Sequence, residues 1–393
     1  MTESDGRRRS AAASRAAASP AAARNELSRT LTYRLRRSGS TGALDVLRTA
    51  AATLVGAVSA DIWCAVMLDP ATFLDTGGEH EHGFPQRVMP RLFEIEHTEQ
   101  AGVDNIRALA TRSTPASLLS RSSGGRMDDS VYYRDVLRPL DLADELRVLL
   151  RDGSRTWGLL VLCRHKDSPP FTAAEVALAG AFSTPATLEL RRSLLVSGID
   201  RGDVPDAAGL VVLDARHEVR LVTATAERWL DLVQEFHPAA GLRHPLALTA
   251  LVSRASAAAP GVQVQSRAIS HTGTWITLSA WRERSGGDGG EMLTYVSLAA
   301  SSSDELTPIV LDAYGLTPRE RQVAQQVLMG HSTTEAAARL HMAEYTLQDH
   351  LRQVFSKAGV RSRREFTGDL FRRFYLPHLE AAPLTKDGRM RSE

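Results

Sequence analysis

Between Leu316 and Phe366 the chain carries repeated helix-start signals and two glycine stops, which leaves that stretch little freedom in what it can fold into. Thr317-Pro318-Arg319-Glu320 offers a capping hydroxyl, a proline at the first helical position where its missing N–H costs nothing, and a glutamate three residues after the cap. Val323, Ala324, Val327 and Leu328 form one apolar stripe behind this start, and Gly330 supplies a left-handed stop. Ser332 and Glu335 repeat the capping box and open a short helix with Ala336, Ala337 and Leu340. The next stretch, "HMAEYTLQDHLRQVFSKAGV" (341–360), buries Leu347, Leu351, Val354, Phe355 and Ala358 and turns Tyr345, Gln348, Asp349, Arg352 and Gln353 outward, ending at Gly359. A fourth helix, "RSRREFTGDLFRRF", sets Phe366, Leu370, Phe371 and Phe374 on one side and arginines on the other.

Short capped helices in this order, the third with a polar outer face, are the ingredients of a helix-turn-helix whose third element lies in the major groove. A small helical bundle shows the same stripes, so periodicity alone leaves both readings open. From Arg319 to Arg373 ten basic residues face six acidic ones, an excess that suits phosphate contacts.

The run "LTPRERQVAQQVLMGHSTTEAAARLHMAEYTLQDHLRQVFSKAGVRSRREF" resembles the DNA-binding domain of LuxR-type transcriptional regulators. Leu316 to Arg321, Gly330, Thr346, Leu347, His350, Lys357, Gly359, Val360, Ser362 and Arg363 carry the likeness. The resemblance implies that Gln348, Asp349 and Arg352 meet base edges, while Thr346, Lys357, Arg361, Arg363 and Arg364 approach phosphate. The chemistry agrees: Gln bonds an adenine edge, Arg grips guanine, Asp accepts from cytosine, and cations neutralise phosphate. Three positions depart from the family pattern. Ala336 replaces a larger aliphatic, His341 stands where glycine is common, and Ala343 stands where Ser or Thr caps the recognition helix. Loss of that cap costs about 0.5–2 kcal/mol.

At 393 residues, 43% hydrophobic and 24% charged, the chain is long enough for two or three cores. Residues 1–40, rich in Ala, Ser and Arg, read as a disordered basic tail in preference to an organellar leader. Residues 41–196 open with the helical spacing Leu44, Leu47, Ala51, Leu54 and Val58. They close with "ELRVLLRDGSRTWGLLVLCR", two strands about an Asp-Gly turn, and a helix capped by Thr172 and Glu175 that Pro185 should kink or end. This closing half resembles a GAF domain, a small α/β sensory module. "SGIDRGDVPDA" (197–207) reads as a linker. Residues 207–300 give strand, strand, helix, then paired long strands about "SGGDGGE", which resembles a degenerate PAS domain. "SSSDEL" (301–306) reads as a second linker before the C-terminal unit, residues 308–378. The expected fold is therefore multidomain α/β, GAF-like and PAS-like sensory modules, plus an all-α C-terminal helix-turn-helix domain.

The formal charge of +1 gives no global reason to expect a polyanionic partner, so that case rests on the C-terminal unit. Cys64 and Cys163, each in an apolar run, read as buried thiols of a cytoplasmic protein. No stretch approaches the roughly 18 apolar residues of a spanning helix. His80 and His82 around Glu81 lack the spacing of a metal site, and no cofactor or metal is expected. Trp157, Trp275 and Trp281 read as core in preference to a ligand pocket, and His350 as packed in preference to a pH switch.

The expected protein is a DNA-binding transcriptional regulator, not an enzyme. Its partners are double-stranded DNA, a second copy in a homodimer and a small-molecule ligand of the N-terminal modules, with no membrane. A dimer would set its recognition helices roughly 34–36 Å apart. The rival readings are a helix-turn-helix that contacts RNA polymerase, an enzyme with a DNA-targeting domain, and a phosphorylated response regulator. No nucleophile or acid–base pair supports the enzyme, and no receiver-like acidic pocket supports the response regulator.

Overall fold

The computed structural model describes residues 20–39, 42–79, 83–153, 155–196, 204–233, 245–286 and 290–374. The first unit begins with α1 (Pro20–Ser38) and α2 (Ala43–Val55), then β1 (Ile62–Leu68) and β2 (Asp75–Glu79). Short helical turns follow, two of them π turns at Glu94–Glu99 and Tyr133–Leu137, with strand β3 (Ala116–Leu118) between them. Strands β4 (Leu142–Asp152) and β5 (Arg155–His165) make a long hairpin, and α3 (Ala173–Val196) closes the unit. The antiparallel sheet runs β2-β1-β5-β4-β3.

Alternation along these strands builds a two-sided sheet. Ala65, Met67, Leu146, Val148, Leu160 and Leu162 face the helices, where they meet Leu47, Leu54, Phe182 and Leu190. Cys64, Val66, Leu149, Leu159, Val161 and Cys163 face the short turns on the opposite side.

Two expectations need correction here. Pro20–Ser38 is a helix and not part of a disordered tail, because Leu27, Leu31 and Leu35 recur every four residues and pack into the first core; residues 1–19 lie outside the described residues. Nor does Pro185 end α3, which continues to Val196. Phe182, Ala186, Leu190 and Leu194 are buried on either side of it, and their packing outweighs the roughly 3 kcal/mol that an interior proline costs. The Thr172–Glu175 cap forms as expected, with reciprocal bonds of 2.7 and 3.2 Å.

The second unit contains β6 (Gly209–Leu213), β7 (Val219–Val222), α4 (Ala224–Leu232), α5 (Leu246–Ala257), β8 (Val264–Ile269), β9 (Trp275–Arg284) and β10 (Met292–Ala300). Its sheet runs β7-β6-β10-β9-β8, again antiparallel. Helix α5 has two buried faces. Ala247, Leu248 and Leu251 pack on its own sheet, while Leu246 and Ala250 pack against the first unit. The units are joined by Asp69, fully buried, which accepts from Arg267 Nε (2.9 Å), Nη2 (2.9 Å) and backbone N–H (2.8 Å). Most of the proposed linker at 197–207 lies outside the described residues.

The C-terminal unit comprises α6 (Ser303–Ala313), α7 (Pro318–Leu328), α8 (Thr333–Arg339), α9 (Glu344–Ala358) and α10 (Arg363–Phe374). The segment 301–306 is a helix start and not a linker, since Ser302 and Glu305 complete a capping box. Helix α6 serves two cores: Ile309 and Ala313 join the first unit, and Val310, Leu311 and Tyr314 join Phe366 and Val354 in the C-terminal one. Arg191 of α3 donates to the Ala313 carbonyl through Nε (2.9 Å) and Nη2 (2.8 Å). Asp312 pairs with Arg155 of β5 at 2.7 Å and with Arg321 of α7.

Candidate nucleic-acid interface and sensory cavity

The capping signals set α7 and α8 as the sequence requires. Glu320 accepts from the Thr317 N–H at 2.7 Å, and the Glu320 N–H donates to Thr317 Oγ1 at 3.3 Å. Ser332 and Glu335 do the same for α8. Gly330 and Gly359 adopt the left-handed backbone (φ 83° and 71°) that ends α7 and α9. His341 takes the same region at φ 50°, which explains why glycine suits that position. Ala343 caps α9 with no side-chain acceptor.

Helix α9 buries Leu347 and Val354 and leaves Thr346, Gln348 and Arg352 exposed, with Asp349 half-exposed beside them. Arg352 Nη1 donates to Asp349 Oδ1 at 2.5 Å, one helical turn away. Four expected contact residues thus share one outward face. Arg361 and Arg364 are exposed at the start of α10. Lys357 and Arg363 are instead engaged within the unit: Lys357 Nζ meets Glu320 Oε2 at 2.7 Å, and Arg363 Nη2 donates to the Val327 carbonyl at 3.2 Å. Both hold α7 against its neighbours. Of the apolar side expected on α10, Phe366 and Leu370 are buried but Phe371 is exposed.

Burial pushes the Glu320 carboxyl up, yet the Lys357 ammonium and the Thr317 bonds outweigh it and hold the carboxyl below its ordinary value. Among the described residues no group of three or more His, Cys, Asp or Glu is placed to hold a metal, and His80, Glu81 and His82 lie outside them. No helix of the described residues is long and apolar enough to cross a membrane.

The first unit holds a partly open cavity of about 50 Å³ between its sheet and the short turns, which no local signal in the sequence marks. Val66, Phe84, Met89, Leu92, Phe93 and Leu159 form its apolar wall, and Asp75, Glu96, His97, Tyr132 and Arg147 reach it. Arg147 donates to Glu145 (2.5 Å), Glu96 (2.9 Å) and the Asp104 carbonyl (2.8 Å), and its guanidinium lies 4.8 Å from the Tyr132 ring centroid. Tyr132 donates to Glu145 at 2.7 Å. Burial pushes Asp75 up to about 7, opposed by the Gly77 N–H, and pushes His97 down to about 4. The π turn carrying Glu96 and His97 touches α5, where Thr98 Oγ1 donates to the Ser253 carbonyl at 2.9 Å. Trp157 and Trp275 are buried outside the cavity wall.

Two family models match the chain. Residues 315–368 match bacterial regulatory proteins of the luxR family, and residues 43–190 match the GAF domain. The chain carries a LuxR-type helix-turn-helix behind a GAF domain, which is the composition of a transcriptional regulator with a sensory domain. No curated protein matches it. Among solved structures, a VqmA–ligand–DNA complex from Vibrio cholera is 16% identical and aligns over 43% of this chain and 84% of its own, with a TM-score of 0.22. The DhaR(N)–DhaL complex of E. coli is 15% identical over 69% of this chain and 90% of its own, with a TM-score of 0.23. Alignments this distant carry no functional weight here.

Proposed function

We propose that this protein is a cytoplasmic, sequence-specific DNA-binding regulator that acts as a homodimer and has no catalytic role. Gln348, Asp349 and Arg352 read base edges from α9, and Thr346, Arg361 and Arg364 contact phosphate. Lys357 and Arg363 act first by fixing the helices and approach phosphate only second. The observation that carries this reading is the single outward face of α9 on a capped helix-turn-helix matched to the luxR family. The cavity of the GAF domain is the site for a small ligand, and the unit at 207–300, with its strand–strand–helix order, is a PAS-like relay. The dimer surface is α10; its Phe366 and Leu370 are buried within the C-terminal unit, so its exposed side would meet the second copy.

The test is a genome-wide binding selection with purified full-length protein, followed by a salt titration of the best site. Affinity should fall steeply as salt rises. Gln348→Ala with Arg352→Ala should remove most discrimination between the best site and random DNA, at about 1–3 kcal/mol per lost base contact. Affinity indifferent to salt, or discrimination that survives the double substitution, sinks the base-reading claim. A helix-turn-helix that captures RNA polymerase but retains no DNA fragment would favour the rival partner.

A further inference from the structure

We propose that the cavity of the first unit is built for a small organic cation, a compact primary amine whose ammonium docks on Asp75 and whose hydrocarbon part lies among Phe84, Met89 and Leu92. This rests on the reading of the GAF domain as the ligand-sensing part.

Asp75 is 6% exposed, and the one hydrogen bond to its carboxylate among the described residues is from the Gly77 N–H to Oδ1 at 2.9 Å. Oδ2 has no partner there. The cavity's guanidinium cannot serve as the missing counter-ion, because Arg147 is already held by Glu96 and Glu145 together. An isolated buried carboxylate is expensive, and the carboxyl responds by resisting ionisation, with burial raising it to about 7. A ligand that brings its own positive charge supplies the partner.

His97 is also 6% exposed, and its ring makes no hydrogen bond among the described residues and stacks on Phe93 at 5.3 Å between centroids. Burial keeps it neutral, so it does not compete for Asp75, and one ring nitrogen remains free to accept an N–H. The other charged or titratable groups at this wall are Glu96, Glu145 and Arg147, with the Cys64 thiol and the Tyr132 hydroxyl, both held protonated by burial, and Arg107 and Arg254 behind His97. Size narrows the class further. A cavity of about 50 Å³ exceeds the roughly 10–15 Å³ that holds one water but is well short of the roughly 150 Å³ that admits benzene. Occupancy would press on the π turn that bears His97 and so reach α5 through Thr98.

The experiment uses the full chain, with the methyl resonances of Met89 and Ile106 read by NMR during titration with propylammonium chloride, 1-propanol or sodium propionate. Propylammonium should shift both methyls to saturation and bind about tenfold or more tighter than propanol, as a charge-assisted bond would give. Propionate should leave them unmoved. Asp75→Asn should abolish the preference for the amine. On the unaltered protein, amine affinity should rise between about pH 6 and pH 8 as Asp75 ionises, and propanol affinity should not. This arm decides the matter if the variant does not fold. Propanol or propionate binding as well as the amine, an amine preference that survives Asp75→Asn, or no shift with any probe overturns the proposal. DNA retention measured on the same sample separates the claims. Lost probe binding with intact DNA binding defeats only this inference, whereas probe binding without DNA binding defeats only the regulator reading.

Discussion

Ala343 holds the extended backbone of an N-cap (φ −70°, ψ 146°) but gives the first turn of the recognition helix no acceptor. Ala343→Ser should therefore stabilise the C-terminal unit by about 0.5–2 kcal/mol, read as a higher urea midpoint and slower amide exchange at Tyr345 and Thr346. Glu320 makes the opposite kind of contribution. Its carboxyl sits below its ordinary value in the folded state, so its stabilisation is present above the unfolded value near about 4.3 and is lost as pH falls through the folded one. Lys357→Ala should weaken this acid dependence, measured as unfolding midpoint of the C-terminal unit against pH. Asp75 has the reverse sign. Raised to about 7, it binds a proton that the unfolded chain has released, so stability falls as pH rises from about 4 to about 7. Asp75→Asn should flatten that slope. At this scale the sequence was most readable where one residue acts on its neighbours: Thr317, Ser332, Gly330 and Gly359 all behave as their local chemistry demands. Lys357 and Arg363 were not readable, because their partners Glu320 and Val327 lie 37 and 36 residues away.

Helix α6 is the element on which the sensory and DNA-binding parts meet. Its Asp312 side chain is 3% exposed and faces a guanidinium from each part, Arg155 and Arg321. Asp312→Ala leaves two half-buried cations facing each other and should cost about 1–3 kcal/mol, with the C-terminal unit swinging more freely in small-angle scattering. The three serines at the start of this helix suggest a loop, although Ser302 and Glu305 stand at the capping-box spacing. Helix α5 is silent in the sequence for a different reason. A helix buried on two sides has no polar face, so "LALTALVSRASA" shows little of the periodicity that betrays an amphipathic helix. Helix α1 was hidden by its arginines, which outnumber the three leucines that anchor it.

Over the whole molecule, the two sheet-bearing units are fastened more tightly than two beads on a linker. Leu74 of the first unit lies in the core of the second, Ile269 and Trp275 of the second lie in the core of the first, and Asp69 is sealed beneath Arg267. Residues 42–300 should thus unfold in one calorimetric transition. Arg267→Ala strands a buried carboxylate, should cost about 3–5 kcal/mol, and should split that transition in two. Such cross-unit contacts have no sequence signature, since Asp69 and Arg267 stand 198 positions apart.

The two cysteines of the sheet give the sensory part a built-in clock. Cys64 and Cys163 lie on neighbouring strands, buried, unbridged and pushed up by burial, so neither reacts while the sheet is closed. A thiol reagent added to the folded protein then counts openings of the cavity wall, one labelling event at a time, and any molecule that fills the cavity should slow the count.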